Sequence, residues 1–193
     1  APHEIDIYFH YTNKVGGKTC LAKCKHCYFQ NRPVFHIDPR KAIAITNALR
    51  LQGYNIGIAP ADSFSDEALA VADAESAGSA FRLALLGKSA WTAGGQLVRK
   101  DWRTRLDRAW AQGFRSIVIS AHDAAGTAVP IHGVTKGSVI SRAIENIQLW
   151  NASYDTQRFA ISTTFTIRND NLSYNVLCRM AEWGIRNSID VVR

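Results

Sequence analysis

The 193-residue sequence predicts an α/β fold in which six strands alternate with five helices. The main observation is a pattern that recurs three times: an amphipathic stretch, a glycine, and then a short apolar run. The glycine supplies the left-handed cap that ends a helix, and the run after it is typical of a buried parallel strand. These glycines are Gly53, Gly113 and Gly184. Because a complete eight-fold barrel needs about 250 residues, we expect a partial, open (β/α)6 barrel.

The six predicted strands are short runs rich in β-branched or aromatic residues, as buried strands are. Their regular alternation with helical segments is the pattern of βα units and a parallel sheet. The runs are Ile5–Phe9, Asn55–Ala59, Ser89–Ala93, Ser116–Ser120, Phe159–Ile167 and Ser188–Val192.

The five predicted helices are recognised by cap residues and by apolar spacing. The first starts at Asp38, an N-cap followed by proline, and the second at Ser65, a cap followed by two acidic residues. The helices span Asp38–Gln52, Ser65–Leu85, Asp101–Ala111, Ser138–Trp150 and Asn171–Trp183. The side chains expected to pack in the core are Ile43, Ile45, Leu49, Trp102, Trp110, Ile140, Ile144, Ile147 and Cys178.

Composition and charge restrict the classes of function. The chain is 47% apolar and 20% charged, as in ordinary globular proteins. No apolar run approaches the ~18 residues of a membrane span, and the first residues do not resemble a signal peptide. Four cysteines, three of them clustered, fit a reducing compartment, so we expect a cytoplasmic protein. Although the net charge is +7, no aromatic–basic repeat accompanies it, and a nucleic-acid partner is not expected.

The most informative motif is Cys20-Leu-Ala-Lys-Cys24-Lys-His-Cys27, which follows the first predicted strand. Three thiolates on one tight loop can hold three irons of a [4Fe–4S] cluster and leave the fourth open, whereas ferredoxin-type carriers use four cysteines. One alternative is a structural zinc loop, which normally needs four ligands. The other alternative is a disulfide framework, but three cysteines this close together cannot pair off. Because only Cys178 remains elsewhere, we expect Cys20, Cys24 and Cys27 to be iron ligands.

The C-x3-C-x2-C spacing resembles the signature of the radical S-adenosylmethionine (radical SAM) enzymes, whose core is also a partial (β/α)6 barrel. The resemblance implies that the methionine part of S-adenosylmethionine (SAM) chelates the open iron. It also implies that a donor such as flavodoxin or ferredoxin reduces the cluster, and that a 5′-deoxyadenosyl radical then removes hydrogen from a substrate. The family usually has an aromatic residue before the last cysteine, lying against the SAM adenine. Here that residue is His26, which retains a flat ring.

The turn after the second predicted strand is expected to contact SAM. Ligands bind at the carboxyl ends of the strands in α/β barrels, and this turn consists of Ala59, Pro60, Ala61 and Asp62. Radical SAM enzymes usually carry a Gly-Gly-Glu-Pro-like turn here, whose backbone binds the SAM amino group. The resemblance implies the same role for the backbone of Ala59, Pro60 and Ala61. Asp62 either supplies the carboxylate of that turn or is a cap residue that orders it.

Four further residues are implied by the same resemblance. Thr92 is similar to the threonine of a third-strand Thr-Asn-Gly-like motif, and Ser120 to a fourth-strand serine that contacts SAM. Lys136 takes the place of an arginine that pairs with the SAM carboxylate in enzymes with cysteine-rich tails. The alternative for Lys136 is an exposed loop lysine, and Arg168 at the end of the fifth strand is a second candidate for the carboxylate.

The substrate is expected to be a ribosomally made peptide or protein, because the segment His132–Ile147 resembles that of the maturases. The alternatives are a small metabolite and a non-enzymatic zinc or electron-transfer module. No side chain is expected to act as a nucleophile, since the cofactor carries the chemistry. We also expect residues 1–193 to be one core domain of a longer enzyme. Expressed alone, such a domain would cleave SAM poorly or aggregate through its last strand.

Overall fold

The computed structural model describes residues 6–11, 41, 44–45, 48–49, 51–52, 55–60, 62–66, 68–70, 73, 89–121, 137–165 and 173–192. Its strands are β1 (Asp6–Tyr11), β2 (Asn55–Pro60), β3 (Ser89–Thr92), β4 (Ser116–Ser120), β5 (Ala160–Thr164) and β6 (Val191–Val192). Its helices are α1 (Trp102–Ala111), α2 (Gly137–Asn151) and α3 (Tyr174–Arg186), and a short 3-10 helix covers Gly95–Val98. The described residues of 41–51 and of 66–73 are helical as well. No described helix is both long enough and apolar enough to cross a membrane.

All the strand pairs found are parallel, and neighbours in a sheet are neighbours in the chain. β1 pairs with β2, while the other strands form a four-stranded sheet in the order β3-β4-β5-β6. The segment after β2 lies along β3, because the Ser63 N–H donates to the Trp91 carbonyl (2.8 Å) and the Ser63 hydroxyl accepts from the Trp91 N–H (2.9 Å). The predicted α/β class and parallel sheet are therefore confirmed.

The helices α1, α2 and α3 pack on the same face of the four-stranded sheet. The core contains Ile117 and Ile119 of β4 and Ile161 of β5. The buried residues of the three helices belong to the same core, and they are Leu106, Ala109, Ile140, Ala143, Ile144, Ile147, Trp150, Val176 and Met180. Right-handed crossovers between consecutive neighbouring strands place successive helices on one side. Because side chains alternate along a strand, Trp91, Val118 and Ser120 lie on the opposite face.

An aromatic cluster fills the core beside the carboxyl end of α1. Trp150 is fully buried, its ring centre lies 4.7 Å from that of Phe159 and 5.5 Å from that of Trp110, and its indole N–H donates to Asp107 Oδ1 (2.7 Å). Trp102 also packs against this core. The expected packing of both tryptophans of α1 is confirmed, as is the burial of the three isoleucines predicted in α2.

Helix caps were predicted correctly in two places. The Ser65 hydroxyl accepts a hydrogen bond from the Ala68 N–H (3.2 Å), as expected for an N-cap. Gly113 has a φ of 97° just after α1, which is the left-handed cap conformation predicted for it. The first helix's cap Asp38 and the glycine Gly53 lie outside the described residues, as does the predicted end of the second helix at Leu85.

The last βα unit differs from the prediction. α3 begins after Ser173, whose hydroxyl accepts from the Val176 N–H (3.3 Å), and it continues to Arg186. Gly184 is therefore a buried interior residue of the helix and not its cap. β6 is shorter than the predicted Ser188–Val192, and Ser188 itself has a φ of 50°, outside the range of a strand.

The expected burial was wrong for three other side chains. Ile45 is 48% exposed, and Leu49 and Cys178 are half-buried. Helix residues two positions apart lie on opposite sides, so Ile43 and Ile45 cannot share one buried face. Cys178 lies on the side of α3 opposite its buried residues Val176 and Met180. Apolar spacing alone does not tell which side of such a helix meets the core.

Gly184 gives a testable consequence of this packing. A Cβ at this position would lie 2.5 Å from Cγ2 of Val192 in β6. Glycine to alanine inside a helix normally stabilises by up to ~1 kcal/mol. Here we expect Gly184→Ala to lower the free energy of unfolding by about 1–3 kcal/mol, because the added methyl overpacks the contact. Urea denaturation measures the loss, and the double variant Gly184→Ala/Val192→Ala should recover it. A single variant as stable as the wild type would show that β6 is not seated on α3 here.

Candidate functional site

β1 and β2 end at the same edge of their two-stranded sheet. His10 and Tyr11 of β1 lie opposite Ala59 and Pro60 of β2 in a parallel register. β1 leads toward the cysteine motif, and β2 ends in the first residues of the turn expected to bind SAM. The carboxyl ends of parallel strands share an edge, so the backbone of Ala59 and Pro60 lies beside the end of β1, and its contact with SAM stays a prediction.

Asp62 is fully buried just beyond β2, and both of its carboxylate oxygens accept hydrogen bonds. Oδ1 accepts from the Phe64 N–H (3.0 Å), and Oδ2 accepts from the Thr92 hydroxyl (2.9 Å). The Asp62 carbonyl also accepts from the Ser65 N–H (3.2 Å). These contacts are those of a carboxylate that orders a turn. A direct contact of Asp62 with SAM stays a prediction.

Burial dominates the electrostatics of Asp62. It raises the pKa of the carboxyl group from 3.8 to about 7, even though hydrogen bonds from Phe64, Thr92 and Ala93 and the charge of Arg105 act in the opposite direction. Burial therefore favours the protonated form of this carboxyl group up to near neutral pH.

Thr92 joins two turns. Its hydroxyl donates to Asp62 and accepts from the Gly94 N–H (2.9 Å), so the turns after β2 and β3 share one side chain. Gly94 has a φ of 87°, and a Cβ there would lie 3.2 Å from the Cβ of Ala143 in α2. Both the backbone conformation and the close approach of α2 favour glycine at this position. The predicted strand-end residues Asp62 and Thr92 are thus brought together.

Arg105 of α1 fixes the same turn from the helix side. It is 2% exposed, and Nη1 donates to the Phe64 carbonyl (2.5 Å). Nη2 donates to Asp66 (2.8 Å) and to Asp101 (2.7 Å), and the bond from Arg105 lowers the pKa of Asp101. Sequence analysis missed this residue. The spacing of Asp101 and Arg105, four residues apart on a helix, is the signal that could have indicated it.

Ser120 lies on the other face of the sheet, which carries hydroxyl groups and one aromatic ring. In register it is opposite Thr164 of β5, whose Oγ1 is buried without a hydrogen-bond partner among the described residues. Toward the amino ends of the strands, the Ser89 and Ser116 hydroxyls lie 2.6 Å apart. Trp91 on this face is 46% exposed. Such a surface can hold a polar molecule through hydroxyl hydrogen bonds and ring contacts.

The remaining predicted site residues lie outside the described residues, and their roles stay predictions. They are Cys20, Cys24, Cys27, His26, Ala61, Lys136 and Arg168. Within the described ranges, no three His, Cys, Asp or Glu side chains are grouped so that they could hold a metal ion.

Comparison with models of protein families finds no match to this sequence, and neither does comparison with curated proteins.

Proposed function

We propose that the chain is the core of a radical SAM enzyme, with Cys20, Cys24 and Cys27 as the ligands of a [4Fe–4S] cluster. The observation that carries the proposal is the C-x3-C-x2-C motif, which follows the first strand of a parallel α/β structure. Its three thiolates fit a cluster with one open iron and leave a zinc site one ligand short. Bound together, the cluster and SAM would supply one-electron cleavage of SAM and removal of hydrogen from a substrate.

The sheet supports the finer fold of the proposal, a partial (β/α)6 barrel. Consecutive strands are neighbours, and α1, α2 and α3 lie on one face of the sheet, as in a barrel. A doubly wound sheet, in contrast, has helices on both faces. The residues at the centre of the opposite face are also buried, since Val118 is 1% exposed and Ser162 is 4% exposed. In the proposed barrel this face is the interior, and Trp91 lies in it.

The residues of this chain would bind and orient SAM and would not react with it. The backbone of Ala59 and Pro60 is placed beside the end of β1, where it can accept hydrogen bonds from an amino group. Ser120 would present its hydroxyl group from the interior face. We propose a peptide or protein as the substrate, a small metabolite as the second candidate, and flavodoxin or ferredoxin as the reductant. A reducing, cytoplasmic setting fits the thiolate ligands.

Anaerobic reconstitution of the full chain tests this proposal. The wild type is expected to hold about four iron and four sulfide ions per chain. Changing any one of Cys20, Cys24 and Cys27 to alanine should abolish most of the bound iron, because each is a cluster ligand. Cys178→Ala is the matched control, since Cys178 is a free cysteine on α3, and it should retain the wild-type iron content.

Release of 5′-deoxyadenosine from SAM under dithionite then separates an enzyme from an electron-transfer module. Stoichiometric zinc in place of iron, or loss of the cluster only in the Cys178 variant, would contradict the proposal.

A further inference from the structure

The side chains of Asp62 and Thr92 lie on the helix-covered side of the sheet. Thr92 is two residues beyond Ala90, which belongs to the core beneath the helices, and is itself 3% exposed. Asp62 is completely buried against it. Ser120 and Thr164 lie on the opposite face. A molecule bound at that face would therefore be separated from both side chains by the backbone of the sheet.

Each of these two side chains holds a backbone turn. Asp62 accepts from the Phe64 N–H in the turn after β2, and Thr92 accepts from the Gly94 N–H in the turn after β3. Asp62 joins these turns by accepting from the Thr92 hydroxyl and also from the Ala93 backbone, and Arg105 fixes the Phe64 carbonyl to α1. Buried hydrogen bonds therefore connect the turn after β2 to the turn after β3.

We propose that Asp62 and Thr92 are positioning residues: their hydrogen bond fixes the turns after β2 and β3 relative to each other, so that the backbone of these turns can hold SAM. Neither side chain touches SAM. This inference rests on the proposed function and assigns the two residues a role different from direct contact.

Thr92→Val tests the inference because it retains the shape of the side chain and removes the hydroxyl. Asp62 loses a donor, and the Gly94 N–H loses its acceptor. We expect the iron content of the reconstituted protein to be unchanged and the dissociation constant for SAM to rise about tenfold, which corresponds to about 1.4 kcal/mol of lost binding free energy. Thr92→Ser retains the hydroxyl and should restore binding to within about twofold, well under the tenfold that 1.4 kcal/mol represents.

A second readout needs no SAM. The Phe64 N–H donates to Asp62, whereas the hydroxyl of Thr92 is bonded to Asp62 and to the Gly94 N–H. In the SAM-free protein, Thr92→Val should therefore accelerate hydrogen exchange at Phe64 by about tenfold, because loosening Asp62 favours local opening of the turn. A residue that only touches SAM would leave this exchange rate unchanged.

Thr163→Val is the matched control. Thr163 is fully buried in β5 on the helix-covered side, opposite Ile119, and its hydroxyl has no partner among the described residues. This variant makes the same chemical change on the same side of the sheet without removing a described hydrogen bond. It should leave both SAM binding and exchange at Phe64 unchanged.

Three outcomes would overturn the inference, and they are distinguishable. Unchanged SAM affinity in a folded Thr92→Val variant would remove the positioning role alone. Weaker binding with unchanged exchange at Phe64 would make Thr92 a direct contact of SAM. A reconstituted wild type that does not bind SAM would remove the proposed function and this inference together. Should the valine variant not fold, weakened SAM binding in Thr92→Ser would still count against the inference, because serine retains both hydrogen bonds.

Discussion

Replacing Asp62 with asparagine is expected to remove a pH dependence of roughly 4 kcal/mol from the free energy of unfolding. Burial raises the pKa of this carboxyl group from 3.8 to about 7, so the folded state binds the proton more tightly than the unfolded state does. The stabilisation that results from this tighter proton binding is fully present below pH 3.8. It falls as the pH rises to about 7, where the carboxyl group also ionises in the folded state. Asparagine is similar in shape and does not ionise, so the variant should lack this decline.

Chemical denaturation at intervals between pH 4 and 8 measures the effect as the difference between wild type and variant, which cancels the other titrating groups. Asp155→Asn is the control, since Asp155 is an exposed residue after α2 and its replacement is the same chemical change. The control should follow the wild type. Parallel curves for wild type and Asp62→Asn would mean that Asp62 is ionised inside the fold throughout this range.

Trp150→Ala is expected to destabilise the fold by about 3–5 kcal/mol, the range found for large aromatic residues removed from a core. Trp150 is fully buried between Phe159 and Trp110, and its indole N–H is the donor to Asp107. The variant therefore leaves a cavity and also removes a hydrogen bond. Trp150→Phe should retain most of the ring contacts and lose about 1–3 kcal/mol, because the smaller ring leaves part of the cavity empty and the hydrogen bond to Asp107 is lost.

Tyr174→Ala provides the comparison for this series. Tyr174 is 79% exposed at the start of α3, and its replacement should change the free energy of unfolding by about 0.5 kcal/mol or less. Urea denaturation of the three variants gives the ranking directly. If Trp150→Ala cost no more than Tyr174→Ala, the aromatic cluster could not be the centre of the core.

Strand positions were predictable because short β-branched runs between helical segments have few other interpretations. β4 has the predicted bounds, and β1, β2 and β3 begin and end within two residues of the predicted runs. β5 is shorter than predicted, as pairing covers only Ala160–Thr164. The last unit was mispredicted because glycine next to a helix has two uses, a cap or a close contact. The contact of Gly184 with Val192 depends on tertiary structure that the local sequence does not contain.

The position of the candidate site at the ends of the strands could be predicted from the sequence. The hydrogen bonds that connect its residues could not. The rule that ligands bind at strand ends placed Asp62 and Thr92 at the same edge, and their hydrogen bond agrees with that placement. It did not indicate which face their side chains occupy, since that depends on the register of β3 beside β4. The spacing of Asp101 and Arg105 was a local signal, but the other partners of Arg105, Phe64 and Asp66, are 41 and 39 residues away, and no local pattern links Arg105 to them.

The agreement between strand order and chain order also bears on how the protein is made. Ribosomes synthesise a chain from its amino end at about 5–20 residues per second, and structure can begin to form before synthesis is complete. In the sheet β3-β4-β5-β6, each strand after the first pairs with the one that precedes it in the chain. Every newly synthesised strand therefore finds its partner already outside the ribosome. This sheet can grow at one edge during translation, and no strand has to be inserted later between two that have already paired.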